Sequence, residues 1–289
     1  MDIQQKIDEA AAHGLTELKL IKLNLSTLPD ISHLTALQTL DLRFNRLQTL
    51  PTLPSGLKKL IASYNFLCDL PTLPQGLEHL YVADNCIRSL PVLPSGLEVL
   101  SVLKNRLQRL PTLPPGLKRL YVYVNYLQSL PILPPGLEHL LVSTNRLQTL
   151  PALPLQLQLM DVSHNELQWL PELPSSLEQL AVRGNKLHTL PAIPPTISKL
   201  IVRRADECRR SGGSDWFIYC RDDNPITQSH INNHSLLKDR LIFDQRDIDT
   251  FNTAVSLFTN KNTYFSLLPR DVINIIKEYI SYVPVTIIN

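Results

Sequence analysis

Leucines stand at fixed places in a frame of twenty residues, with polar positions between them. Leu57, Leu60, Ala62, Leu67 and Leu70 return one frame later as Leu77, Leu80, Val82, Ile87 and Leu90. Leu60 and Ala62 alternate with outward residues, the period of two that belongs to a strand half-buried on one face. Because the same alternation returns in every frame, these strands of three or four residues are expected to pair in parallel. Asparagine keeps the same period, from Asn45 to Asn185 in eight copies. So does Leu-Pro, from Leu50-Pro51 to Leu190-Pro191. The return stretches, such as Leu110-Pro111-Thr112-Leu113-Pro114-Pro115, carry two prolines three apart. Proline has no N–H to give a helix and fixes φ, so an extended, polyproline-like return is predicted. It also denies that side a hydrogen-bonding edge.

Self-similarity at this period is the pattern of leucine-rich repeats, at the short end of their length range. The predicted architecture is an α/β solenoid with a parallel sheet on its concave side and extended returns on its convex side. The asparagine falls where each strand ends. Its amide both donates and accepts, so stacked copies can satisfy backbone groups that the turn leaves unpaired. A solenoid needs closed ends. Residues 1–14 read as a helical cap: Asp2 precedes it, Ile3, Ile7, Ala10 and Ala11 form its apolar face, and Gly14 stops it. In the first repeat Leu18, Leu20, Leu25 and Leu28-Pro29 fit, but Leu23 stands in the asparagine place. Leu200 and Val202 still fit a strand, whereas Ala205 replaces asparagine, so the repeats are expected to span 15–204. The remainder, 205–289, is expected to be a mainly helical subdomain covering the last repeat. Residues 209–214 read as its loop. Ile248, Phe251, Val255 and Phe258 recur at helical spacing, as do Val272, Ile275, Ile276, Tyr279 and Ile280 behind Pro269.

The Leu-Pro-X-Leu-Pro returns, the twenty-residue period and the helical cap resemble the short leucine-rich repeats of bacterial effector proteins. That group includes Yersinia outer protein M and the invasion-plasmid-antigen-H family of Shigella and Salmonella. The resemblance covers residues 1 to about 204. It implies a virulence protein injected into host cells by a specialised secretion system without a cleaved signal peptide. Many such effectors add a ubiquitin-ligase domain whose nucleophilic cysteine lies two residues before an aspartate. Cys220-Arg221-Asp222 has that spacing, but the rest of the chain is too short for that domain, so Cys220 is expected to be a core or loop thiol. Leu268-Pro269-Arg270-Asp271-Val272-Ile273-Asn274-Ile275-Ile276 looks like the opening helix of an F-box, the basis of an alternative reading as a ubiquitin-ligase adaptor.

Charge adds little direction. Lys and Arg number 28 against 26 Asp and Glu, a net +2 that exerts no global pull on nucleic acid or an anionic membrane. The cluster Lys199, Arg203, Arg204, Arg209 and Arg210 is interrupted by Asp206 and Glu207 and reads as a solvated edge. The opening Met1-Asp2-Ile3-Gln4-Gln5-Lys6 has no apolar signal region, and no apolar run approaches the ~20 residues that span a bilayer. A soluble protein with reduced thiols at Cys68, Cys86, Cys208 and Cys220 is expected. Cys208, Cys220, His230 and His234 lack the tight cysteine pair of a structural zinc site, so no metal and no cofactor are expected. No phosphate-binding glycine loop is present. His79 and His139 lie three repeats apart, roughly 14 Å by strand spacing, too far to share catalysis. No catalytic residues and no enzyme activity are expected.

The outward strand positions are where the repeats differ. Framework positions stay constant because packing holds them. The outward ones carry Phe44, Tyr64, Tyr81, Tyr121 and Tyr123, an aromatic density that calls for a partner to cover it. Tyrosine with arginine is also the composition of interface hot spots. The expected partner-binding residues are Phe44, Tyr64, Tyr81, Leu103, Arg119, Tyr121, Tyr123, His139, Leu141, Asp161, His164 and Arg183. The predicted function is non-enzymatic. A monomeric effector docks a protein, either a host protein or another bacterial effector, in its concave face and masks or scaffolds it.

Overall fold

The computed structural model describes residues 3–197 and the backbone of 199–201, which belong to one of two compact units in the chain. Helix α1 (Ile3–Ala12) opens it. Ten strands of three residues follow: β1 (Glu17–Lys19), β2 (Thr39–Asp41), β3 (Lys59–Ile61), β4 (His79–Tyr81) and β5 (Val99–Ser101), then β6 (Arg119–Tyr121), β7 (His139–Leu141), β8 (Leu159–Asp161), β9 (Gln179–Ala181) and β10 (Lys199–Ile201). They form one parallel sheet in sequence order. From β2 onward residue i pairs with residue i+20, as in Leu40 with Leu60 and Leu60 with Leu80. From Leu40 to Leu180 the middle residue of each strand is buried, and the inward residues of the turn and the return complete the core. Each fully buried leucine contributes about 1.5–3 kcal/mol, but only when a neighbouring repeat covers it.

Returns are extended, with one turn before each strand: Leu57 N–H donates to the Pro54 carbonyl at 3.2 Å, and Leu117 N–H to Pro114 at 3.1 Å. Apart from α1, no helix occurs among the described residues.

The asparagines bridge neighbouring repeats. Asn105 Nδ2 donates back to Val82 O at 2.9 Å and to Val102 O in its own repeat at 3.1 Å. Its Oδ1 accepts from Ile87 N–H at 2.9 Å. The same three bonds recur at Asn65, Asn85, Asn125, Asn145, Asn165 and Asn185, forming the expected ladder.

Two details of the N-terminal end differ from expectation. Ile7 and Ala10 are buried and Ile3 partly so, but Ala11 is exposed, so the helix offers the core a narrower stripe. Leu23, in the asparagine place, is exposed as well, and the Asn45 Oδ1 accepts from the N–H groups of both Leu23 and Leu25, where Asn65 Oδ1 accepts from Leu47 N–H alone. Gly14 ends the helix in the left-handed conformation at φ 59°, and Leu15 N–H donates to Ala10 O at 3.0 Å. Asp2, the end of the repeats after Ile201, the helices and loop of 205–289, the cysteine and histidine group around Cys220, and the F-box-like stretch lie outside the described residues.

Candidate protein interface

The residue before each asparagine has positive φ: 58° at Phe44, 60° at Tyr64, 55° at Val124, 54° at Thr144 and 52° at His164. Only glycine and asparagine adopt this conformation cheaply. Here the asparagine ladder fixes the turn so firmly that side chains of every type accept it, and they emerge in one column beside the strands. Phe44 and Tyr64 stack in it with ring centroids 4.5 Å apart and planes at 11°. Lys22 Nζ lies 5.2 Å from the Phe44 centroid, a cation–π contact. Beyond Tyr64 the column continues with Asp84 and then Lys104, whose Nζ is 3.6 Å from Asp84 Oδ2. Burial pushes the Asp84 carboxyl up, against the pull of Lys104. Burial, reinforced by Asp84 and Tyr123, pushes the Tyr64 phenol up to about 12.

A second group sits on the strands. Tyr81 on β4 lies beside His79, ring centroids 6.4 Å apart, with Lys59 Nζ 5.6 Å from its centroid. Tyr121 on β6 hydrogen-bonds through its hydroxyl to His139 Nδ1 at 3.2 Å. Burial raises the Tyr121 phenol, opposed by Arg119. Burial also lowers the His139 imidazole, and Arg119 adds to that while Glu138 opposes it. Between the two tyrosines in register stands Ser101 on β5, only 5% exposed, shielded by its larger neighbours. Tyr81 and Tyr121 are thus two strands apart, ~10 Å. Both are half-buried with one face to solvent, and Leu103, Tyr123 and Leu141 are half-buried beside them, with Arg119 exposed.

Three expected residues do not join either group. Asp161 turns to its own backbone, accepting from Ser163 N–H at 2.9 Å. His164 is exposed, and its ring occupies the space a Cβ on Gly184 would need, 2.6 Å from Nδ1. Arg183 is half-buried, with a buried Nε that has no hydrogen-bond partner among the described residues.

Lys22, Lys59, His79, Asp84 and Lys104 were not among the expected site residues although they pack with the aromatics. Their signal was position: all but Lys22 stand twenty residues from an aromatic or from each other in the same column. Asp41 pairs in register with Ile61, yet it is 2% exposed and held by Arg43, whose Nη2 donates to Oδ2 at 2.8 Å. Among the described residues there is no group of three His, Cys, Asp or Glu placed to hold a metal, and no helix long and apolar enough to cross a membrane.

A sheet of three-residue parallel strands, one per twenty-residue turn, with asparagines stacked at every turn, defines a leucine-rich-repeat solenoid. The Leucine Rich Repeat family model matches residues 36–60. The solved structure of YopM, a leucine-rich effector protein from Yersinia pestis, is 34% identical with a TM-score of 0.60, covering 68% of this chain and 62% of that one. YopM from Yersinia enterocolitica WA-314 is 32% identical with a TM-score of 0.48, covering 70% of this chain and 59% of that one. A chain in the octameric complex of Latrophilin 3, Unc5D and the FLRT2 leucine-rich repeats is 26% identical with a TM-score of 0.55, covering 66% of this chain and 70% of that one. No curated protein sequence matches the chain. The chain is a leucine-rich-repeat protein similar to the Yersinia pestis effector YopM, and it spans about three-fifths of the YopM chains it matches.

Proposed function

We propose that this chain is a non-enzymatic binding protein whose sheet face docks a protein partner and masks or scaffolds it. The observation that carries this reading is the pair of half-buried tyrosines, Tyr81 and Tyr121, flanked by Tyr123 and Leu141 and held by neighbours in their own sheet. Rings already fixed by His139 and Lys59 lose little freedom on binding, and such preorganisation favours affinity. Their open faces supply the large amphipathic contact area that protein interfaces use. The Phe44–Tyr64 stack extends the same face toward the first repeats. Leucine-rich-repeat solenoids typically serve protein–protein interaction, and the FLRT2 repeats occur in a complex with two other proteins. Likeness to the Yersinia effectors supports delivery into a host cell as the setting.

The test is affinity capture with Tyr81, Tyr121 and Tyr123 changed together to alanine. Interface tyrosines cost about 1–2 kcal/mol each on truncation, so capture falls at least tenfold while the far-ultraviolet circular dichroism stays that of the parent. Undiminished capture by a folded variant rejects this surface.

A further inference from the structure

Beside the sheet face runs a second ladder. The residue after each asparagine donates its N–H to the preceding repeat: Phe66 to Leu47 O at 2.9 Å, Arg106 to Ile87 O at 2.8 Å, Tyr126 to Leu107 O and Arg146 to Leu127 O at 2.8 Å. These bonds stack Arg46, Phe66, Cys86, Arg106, Tyr126 and Arg146 into one column along the post-strand flank. Arg88 and Arg109 stand just beyond it on the same flank. Over Arg46 to Thr189 this flank holds six basic residues against the two acids Asp69 and Glu166, and Glu166 is already paired with Lys186 at 3.2 Å. Arg46, Arg88, Arg106 and Arg109 are exposed, and none has a side-chain ion pair or hydrogen bond among the described residues.

The flank on the other side of the strands has the opposite character. Its column holds Glu78, Glu98, Glu138 and Glu178 against Lys58 and Lys118, and both lysines are already paired, Lys58 with Glu78 at 3.6 Å and Lys118 with Glu98 at 3.0 Å. A near-neutral chain therefore carries a charge difference across its binding face. Such a difference selects and orients a partner more than it strengthens binding.

We infer that the partner docked on the sheet face lays an extended acidic segment along the post-strand arginine flank; this rests on the docking reading above. Arginine forks match carboxylates bidentately. Arg46 and Arg106 are three repeats apart and Arg106 and Arg146 two, ~14 and ~10 Å at ordinary strand spacing. An extended chain rising ~3.3 Å per residue meets those sites with a carboxylate every three or four residues. Single-stranded nucleic acid fits less well. Phe66 and Tyr126, 54% and 44% exposed, are three repeats apart, too far for successive bases to stack on them, and Arg146 already covers Tyr126 at 5.0 Å.

The experiment uses the full chain and three fluorescent probes: four repeats of Glu-Ser-Pro-Thr, the same peptide with glutamine for glutamate, and a sixteen-residue oligothymidylate. Anisotropy is read at about 50 and 200 mM salt. The glutamate peptide binds at low salt and weakens at high salt, while the glutamine peptide does not bind. Changing Arg46, Arg88, Arg106 and Arg109 to glutamine weakens the glutamate peptide at least tenfold, changing them to lysine weakens it less than glutamine does, and Lys58→Gln with Lys118→Gln leaves it unaltered. Equal binding of the two peptides, unchanged binding by the folded four-glutamine variant, or tighter binding of the oligonucleotide overturns the inference. The Tyr81, Tyr121 and Tyr123 alanine variant binds the glutamate peptide as the parent does. Probe binding therefore fails with the flank, and partner capture fails with the tyrosine face.

Discussion

Asn125 sits in the middle of the ladder, and removing its amide measures what the ladder contributes. Its Nδ2 donates to Val102 O and Val122 O, both at 3.1 Å, and its Oδ1 accepts from Leu107 N–H at 3.0 Å. All of these bonds are buried. Alanine at 125 strands the Leu107 N–H and takes a donor from two carbonyls. One buried unsatisfied donor costs about 1–3 kcal/mol, and carbonyls with a second lone pair cost less, so the whole change is about 3 kcal/mol. Two of the lost bonds cross from one repeat to the next, so the damage falls on a single interface of a stack held by nearest-neighbour contacts. With a urea slope of about 2 kcal/mol per molar, the unfolding midpoint drops by roughly 1.5 M, followed by far-ultraviolet circular dichroism. Gln128→Ala, exposed in the same repeat, shifts stability by less than about 0.5 kcal/mol. Asn125→Asp keeps the acceptor but turns a carboxylate toward two carbonyls, and is no milder than alanine. A loss below about 0.5 kcal/mol for Asn125→Ala, or parental stability for Asn125→Asp, would refute the ladder as a main support of the stack.

Other consequences are sharper locally. Gly56→Ala destabilises, because a Cβ there collides with the Thr35 carbonyl of the first repeat, while Gly76→Ala, with nothing within 4 Å, does not; thermal melts of the pair decide it. Val124 is β-branched at φ 55°, a conformation that costs an L-residue about 1–2 kcal/mol and that asparagine tolerates, so Val124→Asn raises the melting temperature. Burial lowers the folded pKa of His139, so between its unfolded value and that lower value the unfolded chain binds the extra proton. Its contribution is complete above about pH 6.5 and declines as pH falls, so the parent loses more stability from pH 7.5 to 5.5 than His139→Gln does. A nuclear magnetic resonance titration of His139 with its midpoint at or above 6.5 contradicts that sign.

The frame was legible because packing repeats it. Leu60, Ala62, Leu67 and Leu70 face the same neighbours as their counterparts twenty residues away, so eight asparagines and eight Leu-Pro pairs specify strand, turn and return together. The left-handed residue before each asparagine was not legible: Phe44, Val124 and Thr144 carry no local preference for it, and the asparagine bonds impose it. At the N-terminal end, the period could not show that Asn45 Oδ1 would accept from both Leu23 and Leu25 and that Leu23 would lie outside. On the sheet face, column position placed Tyr81 and Tyr121 correctly on the outward side. It could not say which way a short polar side chain turns, and Asp161 folds back on Ser163. Lys22 and Lys59 carry no sequence signal of their own, although the ammonium of each lies over an aromatic ring.

The central claim is that the tyrosine face is the surface a partner covers. Hydroxyl-radical footprinting of the complex against the free chain reads it directly. Tyr81, Tyr121 and Tyr123 become several-fold less reactive in the complex, while Ile132 and Leu155 on the returns, 88% and 79% exposed, react as before. Protection of Ile132 and Leu155 with the three tyrosines still reactive would contradict the account.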